Sequence, residues 1–386
     1  MAVQRFRIEV ADSVLADLNE RLASYRPVPN DDTQDWKAGM SPLYLNELLQ
    51  YWKSGFDWRA QEARINHFQH FRASLKGVNV HFIHQRGQGN KPLPIVLTHG
   101  FPDSFLRFSK LIPLLTNPPD PADAFDVVVP SLPGYAFSDP ILDRGGTFGI
   151  ADLWNQLMTR ELGYSRYGAH GGDWGSTITE HLGRNHPNAL AGIHLTDVPF
   201  WHVFSKPHDL SAAEEHYFDK NQQWQMQEGA YAMIQGARPQ TLADGLNDSP
   251  AGLAAWLVEK FQRWSDCGGD VETRFSKDEL LSNVMLYWAT ETIGSSFLPY
   301  YDFVNAGGGR WMIEIAKQLI GSSRVPAGFA IFPKDISQPP REWAARFFDV
   351  RRWSQMPRGG HFAAFEEPEL LAQEIRAFFR PLRLQN

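Results

Sequence analysis

The chain has 386 residues, 43% of them hydrophobic and 21% charged. This length is enough for a full hydrophobic core and predicts two packed units. Its formal net charge of −7 offers no basic surface for nucleic acid or an anionic membrane, so neither is an expected partner. Cys267 is the only cysteine, which excludes an intrachain disulfide and a cysteine-based zinc site.

The N-terminal part of the chain is predicted to be helical. Amphipathic patterns cover 10–26 and 41–52, and the pair Ser41-Pro42 suits the cap and first turn of the second helix. These helices contain no residues that indicate a catalytic or binding site. Two roles remain open for them: a homodimer contact, or support of a lid over the site. The segment lacks the apolar stretch of a secretory signal, and no run of 18 uncharged apolar residues follows, so we expect a cytoplasmic protein without a membrane anchor.

Strand and helix patterns alternate from residue 71 onward. Short apolar runs separated by helices predict an α/β fold with a mostly parallel sheet that is covered on both faces. The predicted strands span 78–83, 95–98, 126–130, 167–170, 191–195, 328–332 and 350–353. The predicted helices of this part span 150–162, 176–186 and 368–379.

The alternation is interrupted between about 204 and 303, where only helical patterns occur. An all-helical insertion in a parallel sheet predicts a lid over the carboxyl ends of the strands, where such sheets bind ligands. The predicted organisation is therefore a helical extension, a first core part, a lid and a second core part, at 1–70, 71–203, 204–305 and 306–386.

The segment GGDWGS at 171–176 lies between a predicted strand and a predicted helix. Small residues two positions either side of a central side chain are typical of the nucleophile elbow of the α/β-hydrolase fold. Asp173 stands where the nucleophile belongs, and a helix beginning at Ser176 would favour an anion there. The alternative interpretation is an ordinary aspartate helix cap.

A carboxylate nucleophile indicates a particular class of reaction. Serine attacking a saturated carbon would leave an ether, which water does not readily cleave. Aspartate leaves an ester, and water can attack the carbonyl carbon of that ester to regenerate the enzyme. Asp173 therefore favours substitution at saturated carbon over acyl transfer.

An elbow nucleophile requires an acid and then a histidine further along the chain. His361 lies in the glycine-rich segment RGGHF after the last predicted strand and is the predicted base. Asp335 follows the strand at 328–332 and is the predicted orienting acid. Asp349 is the alternative, but it stands at the start of a strand, away from the edge where such sites form.

The segment HGFP at 99–102 follows another predicted strand. In an elbow enzyme the loop after this strand contributes one oxyanion-hole N–H, and the residue after the nucleophile contributes the other. We therefore expect the two oxyanion-hole donors to be the backbone N–H groups of Phe101 and Trp174. Taken alone, the tetrapeptide also fits an ordinary tight turn.

Tyrosines in the helical insertion are candidates to protonate the leaving group, if the saturated carbon that Asp173 attacks belongs to an epoxide. An epoxide oxygen becomes an alkoxide and needs a proton or a strong hydrogen bond, which a phenol can donate at neutral pH. Residue patterns do not choose among the five candidates Tyr217, Tyr231, Tyr287, Tyr300 and Tyr301.

Five segments along the core resemble the microsomal-type epoxide hydrolase family, which includes the juvenile-hormone epoxide hydrolases. They are HGFPDSFLRF, SLPGYAFS, GGDWGS, NVMLYWATETI and MPRGGHFAAFEEPEL. The N-terminal extension also resembles the extra region of that family.

The resemblance implies a nucleophile at Asp173, an acid at Asp335 and a base at His361. It also implies two lid tyrosines, which match Tyr231 in GAYAM and Tyr300 in LPYY, with Tyr301 as the neighbouring alternative. It implies a small-molecule epoxide as substrate and no metal or organic cofactor.

Two residues depart from the family pattern. Several members have tryptophan where Phe101 stands, and some have glutamate where Asp335 stands. The eukaryotic microsomal members carry an N-terminal anchor that we do not expect here. The alternative functions are a haloalkane or haloacetate dehalogenase, which would share Asp173, Trp174 and the His–acid pair, and an inactive hydrolase-fold binding protein.

Overall fold

The computed structural model describes residues 3–29, 35–141, 148–305 and 324–383. These residues include nine strands that form one sheet. The strands are β1 Gln4–Phe6, β2 His70–Leu75, β3 Val78–Gln85, β4 Leu93–Thr98, β5 Phe125–Pro130, β6 Tyr167–Gly171, β7 Leu190–Leu195, β8 Pro326–Ile331 and β9 Asp349–Gln355.

The strand order places the carboxyl ends of six parallel strands at one edge of the sheet. The order is β1-β2-β3-β5-β4-β6-β7-β8-β9, with antiparallel pairs as far as β3–β5 and parallel pairs from β5–β4 onward. The loops that leave β4, β6, β8 and β9 at that edge carry Phe101, Asp173, Asp335 and His361 respectively. The sheet topology therefore brings together four segments that are far apart in the chain.

Every residue of β5, β6 and β7 is buried, which explains why these strands are continuous apolar runs rather than alternating ones. Two strands were not predicted. β2 alternates polar and apolar residues, and the three-residue β1 lies in the extension that we expected to be helical. β1 exists because it pairs with β2, 60 and more residues later, and no local pattern contains that pairing.

The helices are α1 Asp12–Ala23, α2 Pro42–Ser54, α3 Trp58–Ile65, α4 Leu111–Thr116, α5 Phe148–Gln156, α6 Trp174–Asn185, α7 Ala212–Glu228, α8 Ala230–Ala237, α9 Pro239–Asp248, α10 Pro250–Trp264, α11 Lys277–Thr290, α12 Ile293–Ser296, α13 Leu298–Asn305, α14 Arg341–Ala345, α15 Ala363–Glu366 and α16 Pro368–Phe379. None of the helices in the described ranges is both long and apolar enough to cross a bilayer.

Helices cover both faces of the sheet, which confirms the predicted fold class. On β7, a Cβ at Gly192 would meet Phe378 of α16, whereas the next residue, Ile193, lies against Gly183 of α6. Successive residues of a strand point to opposite faces. The helices α6 and α16 therefore lie on opposite sides of the sheet.

The helical extension packs against the insertion between β7 and β8. Helices α1 and α2 contact α10, and α2 and α3 contact α11. At this contact Asp278 of α11 accepts hydrogen bonds from the Tyr51 hydroxyl at 2.8 Å and from the Gln61 amide at 2.9 Å. The beginning of the predicted second core part, 306–323, lies outside the described residues, as do 1–2, 30–34, 142–147 and 384–386.

Candidate active site

Asp173 sits on a sharp turn between β6 and α6. Its backbone has φ 57° and ψ −130°, a conformation that a non-glycine residue rarely adopts. The neighbours must be small: a Cβ at Gly171 would lie 2.2 Å from the Gly175 carbonyl oxygen, and one at Gly175 would lie 2.0 Å from that of Thr98. The helix begins at Trp174, two residues earlier than predicted, because the turn leads directly into the first helical residue.

The Asp173 carboxylate does not cap α6 through a side-chain hydrogen bond. Its Oδ1 instead accepts the Phe101 N–H at 2.9 Å, and the Trp174 N–H also donates to the carboxylate. Burial would raise the pKa of Asp173, but the charge of His361 and these two N–H groups outweigh it and lower the pKa below its ordinary value. Two N–H groups thus converge where an oxyanion on this side chain would form.

His361 lies between two carboxylates. Its Nδ1 is 2.8 Å from Asp335 Oδ1, and its Nε2 is 3.6 Å from Asp173 Oδ2, an ion-pair distance too long for a hydrogen bond. All three side chains are almost entirely buried. Asp349, the alternative acid, begins β9 and pairs with Arg351 at 2.9 Å, so the structure brings Asp335 to the imidazole.

The charges of the two carboxylates govern the protonation of His361. Burial alone would lower the pKa of this imidazole, but Asp335 and Asp173 outweigh burial and raise the pKa to about 10. With Asp173 ionised, His361 is therefore an imidazolium at neutral pH. It can accept a proton only after the charge on Asp173 has been removed.

Tyr231 of α8 and Tyr300 of α13 lie together above the elbow. Their ring centroids are 5.9 Å apart, and the Phe101 ring packs against both, at 6.2 and 5.7 Å. The Trp174 ring meets Tyr300 edge-on at 5.0 Å. Burial, and then nearby negative charge that includes Asp173, raises the pKa of both phenols above the ordinary value, so both keep their protons at neutral pH.

The other candidate tyrosines are placed differently. The Tyr287 hydroxyl donates to the Asp103 carbonyl at 2.8 Å, and the Tyr217 hydroxyl shares a hydrogen bond with Ser337 at 3.2 Å. Tyr301 follows Tyr300 on α13, and successive helical residues are turned by about 100°. Tyr301 is partly exposed and does not share the face of Tyr300.

Two residues of the site were missed by sequence reasoning. The Trp264 ring lies 5.0 Å from that of Tyr231 and 5.4 Å from that of His361, and nothing in the pattern of α10 indicated this. Asp197 follows β7 at the same sheet edge, so the placement rule that selected Asp335 could have found it. Its Oδ2 lies 3.2 Å from the Ser176 hydroxyl.

Two family models match the chain. The model described as "Epoxide hydrolase N terminus" covers residues 3–108, and the model described as "alpha/beta hydrolase fold" covers residues 94–286. The first match includes the extension, β1 and β2, and the second runs from β4 through most of the helical insertion.

The similarity to known proteins covers nearly the whole chain. Epoxide hydrolase 1 of Sus scrofa is 36% identical over 414 residues, which span 100% of this chain and 90% of the pig protein. The juvenile hormone epoxide hydrolase of the silkworm Bombyx mori superposes with a TM-score of 0.88 at 26% identity, covering 100% of this chain and 96% of that one. The Aspergillus niger epoxide hydrolase superposes with a TM-score of 0.83 at 30% identity, covering 99% and 97%. The chain belongs to the epoxide hydrolase family of the α/β-hydrolase fold.

Proposed function

We propose that this chain hydrolyses small-molecule epoxides to vicinal diols through a covalent ester on Asp173. The observation that carries the proposal is the surroundings of the Asp173 carboxylate. It lies 3.6 Å from the imidazole of His361, and it is near enough to the paired phenols of Tyr231 and Tyr300 for its charge to raise their pKa values. Family membership supports the same reaction.

The first step forms the ester. One oxygen of Asp173 attacks a ring carbon of the epoxide, and the carbon–oxygen bond of the ring breaks. The freed oxygen takes a proton from one of the two phenols, which becomes a phenolate. Tyr231 and Tyr300 are suited to this because their raised pKa values keep them protonated. The low pKa of Asp173 keeps the nucleophile ionised.

The second step cleaves the ester. Alkylation removes the negative charge of Asp173, one of the two charges that hold the pKa of His361 high, so the imidazole becomes a usable base. The imidazolium first releases its proton, and the phenolate takes one up and becomes a phenol again. His361, now neutral and oriented by Asp335, takes a proton from water, and the hydroxide attacks the carbonyl carbon of residue 173. The N–H groups of Phe101 and Trp174 stabilise the oxyanion of the tetrahedral intermediate. When that intermediate collapses, the departing oxygen takes the proton of its hydroxyl group, so the diol leaves and the Asp173 carboxylate re-forms.

The paired phenols favour an epoxide over a halide. Halide leaves as a stable anion and needs only weak donors, whereas an alkoxide needs the proton that a phenol supplies. The presence of the nucleophile, base and acid at close range also argues against an inactive binding protein. Halide release and diol formation measured side by side separate the dehalogenase from the epoxide hydrolase.

Single turnover in ¹⁸O-labelled water tests the ester. We expect the oxygen of the first diol to come from Asp173 and the label to enter the carboxylate of residue 173. In His361→Gln, alkylation should continue while the ester accumulates, visible by mass spectrometry of the intact protein. Label passing directly from solvent to the first diol would refute the covalent route.

A homodimer and a cytoplasmic location are further proposals that rest on the sequence. Sedimentation velocity tests the first, with a species of twice the chain mass expected. Fractionation of expressing cells tests the second, and recovery in the membrane pellet would contradict it.

A further inference from the structure

The loop that carries the base has an unusual set of backbone partners. We define the base loop as residues 359–362. The four consecutive N–H groups donate to Asp266 Oδ2 at 3.0 Å, Glu366 Oε2 at 3.0 Å, the Trp264 carbonyl at 2.9 Å and Glu366 Oε1 at 2.9 Å, in chain order. Buried N–H groups outside regular structure need such acceptors, so these three residues determine the shape of the loop.

The Glu366 carboxylate binds the backbone on both sides of His361. Its two carboxylate oxygens accept the N–H groups of Gly360 and Phe362, the residues immediately before and after the base, and Oε2 also accepts the Asp266 N–H at 2.7 Å. The side chain is buried at the end of α15. One carboxylate therefore joins both sides of the base to the segment that follows α10.

The base loop is docked against the end of α10 with no spare room. A Cβ at Gly360 would lie 2.7 Å from the Trp264 carbonyl oxygen and 2.9 Å from the Asp266 nitrogen. On the other side, the His361 carbonyl accepts a hydrogen bond from Arg107 Nη2 at 2.9 Å. The backbone of His361 is thus held from the lid side and from the core side.

We propose that Glu366 is a positioning residue for ester hydrolysis, which holds the backbone on both sides of His361 so that the imidazole stays between Asp335 and Asp173. This deepens the proposed function and rests on it. Alkylation uses Asp173 and the lid phenols and does not need His361 as a base. Loss of Glu366 should therefore slow the second step and leave the first.

The substitution Glu366→Gln removes the charge and keeps the size. An amide has one accepting oxygen in place of two, and its NH₂ group would face an N–H donor of the loop or of Asp266. At least one side of His361 then loses its acceptor. Burial raises the pKa of Glu366 to about 7, so the comparison is made at about pH 8.5, where the wild-type carboxylate is ionised.

The adjacent residue provides a matched control. Glu367 is also buried, but its carboxylate binds Arg274 at 2.9 Å and Arg358 at 2.8 Å, and none of the four base-loop N–H groups donates to it. Glu367→Gln makes the same chemical change one residue away. It should lower stability without separating the two steps.

Rapid mixing with a chromogenic epoxide measures the two steps separately. For Glu366→Gln we expect alkylation within about threefold of wild type and ester hydrolysis at least about tenfold slower, so that the ester accumulates. For Glu367→Gln both rates should stay within about threefold. In a His361→Gln background, Glu366→Gln should slow hydrolysis no further, because it acts through the base.

Three results would overturn the inference: equal slowing of both steps, a wild-type hydrolysis rate in Glu366→Gln, or additive slowing in the double variant. If Glu366→Gln does not fold, Glu366→Asp replaces it, with the same separation of the steps expected because the shortened chain cannot span His361. Absence of any ester in wild type and in His361→Gln would instead refute the proposed function itself.

Discussion

At the scale of single residues, the charges of buried carboxylates determine which groups of the site are protonated. Asp173 and Asp335 lie on either side of one imidazole, and together they raise the pKa of His361 to about 10. Asp197 is a third buried acid at the same sheet edge. Burial, together with the charges of Asp335 and Asp173, raises its pKa to about 8, so at neutral pH it is mostly neutral and adds little further charge.

The tyrosine pair predicts a graded loss of alkylation. Tyr231→Phe or Tyr300→Phe should slow ester formation by roughly tenfold to a hundredfold, since a hydrogen bond to a charged group contributes about 1.5–3 kcal/mol. The double variant should lose nearly all activity. Tyr301→Phe is the control and should keep the wild-type rate; a larger loss there than in Tyr300→Phe would transfer the role to Tyr301. Stopped-flow measurement of alkylation gives these rates.

Asp197 predicts a pH-dependent contribution to stability. Its pKa is about 8 in the folded protein and about 3.9 when unfolded, so its contribution is complete below about pH 4 and is lost as pH rises toward 8. Relative to wild type, Asp197→Asn should therefore gain free energy of unfolding between about pH 5 and 8, on the order of 3–4 kcal/mol. Urea unfolding at both pH values measures this. Parallel curves for the two proteins would contradict it.

At the scale of elements, the strand–turn–helix unit β6–α6 depends on close backbone approach. The Thr98 carbonyl at the end of β4 lies against Gly175 in the first turn of α6. The loop after β4 also provides the Phe101 N–H that holds Asp173. Displacement of α6 from β4 would therefore disturb the nucleophile and one oxyanion-hole donor together.

Gly175→Ala should disrupt this unit. A Cβ 2.0 Å from the Thr98 carbonyl oxygen must push the backbone apart, so we expect a loss of about 2–4 kcal/mol in the free energy of unfolding and more than about a hundredfold in activity. The control is Gly245→Ala on α9, where nothing lies within 4 Å of the added Cβ. That change should stabilise by about 0.5–1 kcal/mol. Thermal unfolding and diol assays measure both, and a near-wild-type Gly175→Ala would refute the steric argument.

At the scale of the whole molecule, the N-terminal extension packs against the helical insertion between β7 and β8. The helices α2 and α3 lie against α11, and Asp278 ties them together through Tyr51 and Gln61. The phenols of Tyr231 and Tyr300 are carried on α8 and α13, and α11 belongs to the same insertion between β7 and β8, where it packs against α10. We therefore expect the extension to stabilise the insertion that carries Tyr231 and Tyr300.

Asp278→Ala should weaken the contact between the N-terminal extension and α11. Two hydrogen bonds to one carboxylate are lost, so we expect the free energy of unfolding to fall by about 2–3 kcal/mol and hydrogen exchange in α2 and α3 to accelerate. Turnover should change by less than about threefold. Asp278→Asn, which keeps one accepting oxygen, should show a smaller effect of the same kind. Unchanged exchange in α2 and α3 would mean that apolar packing alone holds the extension.

The sequence by itself determined those features of the protein that depend on short segments of the chain. Apolar runs and helical periodicity predicted the α/β fold and the insertion, and the turn chemistry of GGDWGS and RGGHF marked Asp173 and His361. The rule that sites form at the carboxyl ends of parallel strands chose Asp335 over Asp349. These are properties of short segments, so they are visible before the chain is folded.

Only the tertiary structure decided which distant groups meet. The sequence pattern did not distinguish which of the five tyrosines would lie at the site. The packing of α8 and α13 against Phe101 is what separates Tyr231 and Tyr300 from the others. Three contacts join residues 64 to 100 positions apart: the pairing of β1 with β2, the contact of Trp264 with His361, and the hydrogen bond from the Asp266 N–H to Glu366. Such contacts depend on how whole elements pack, and no periodicity within one element encodes them.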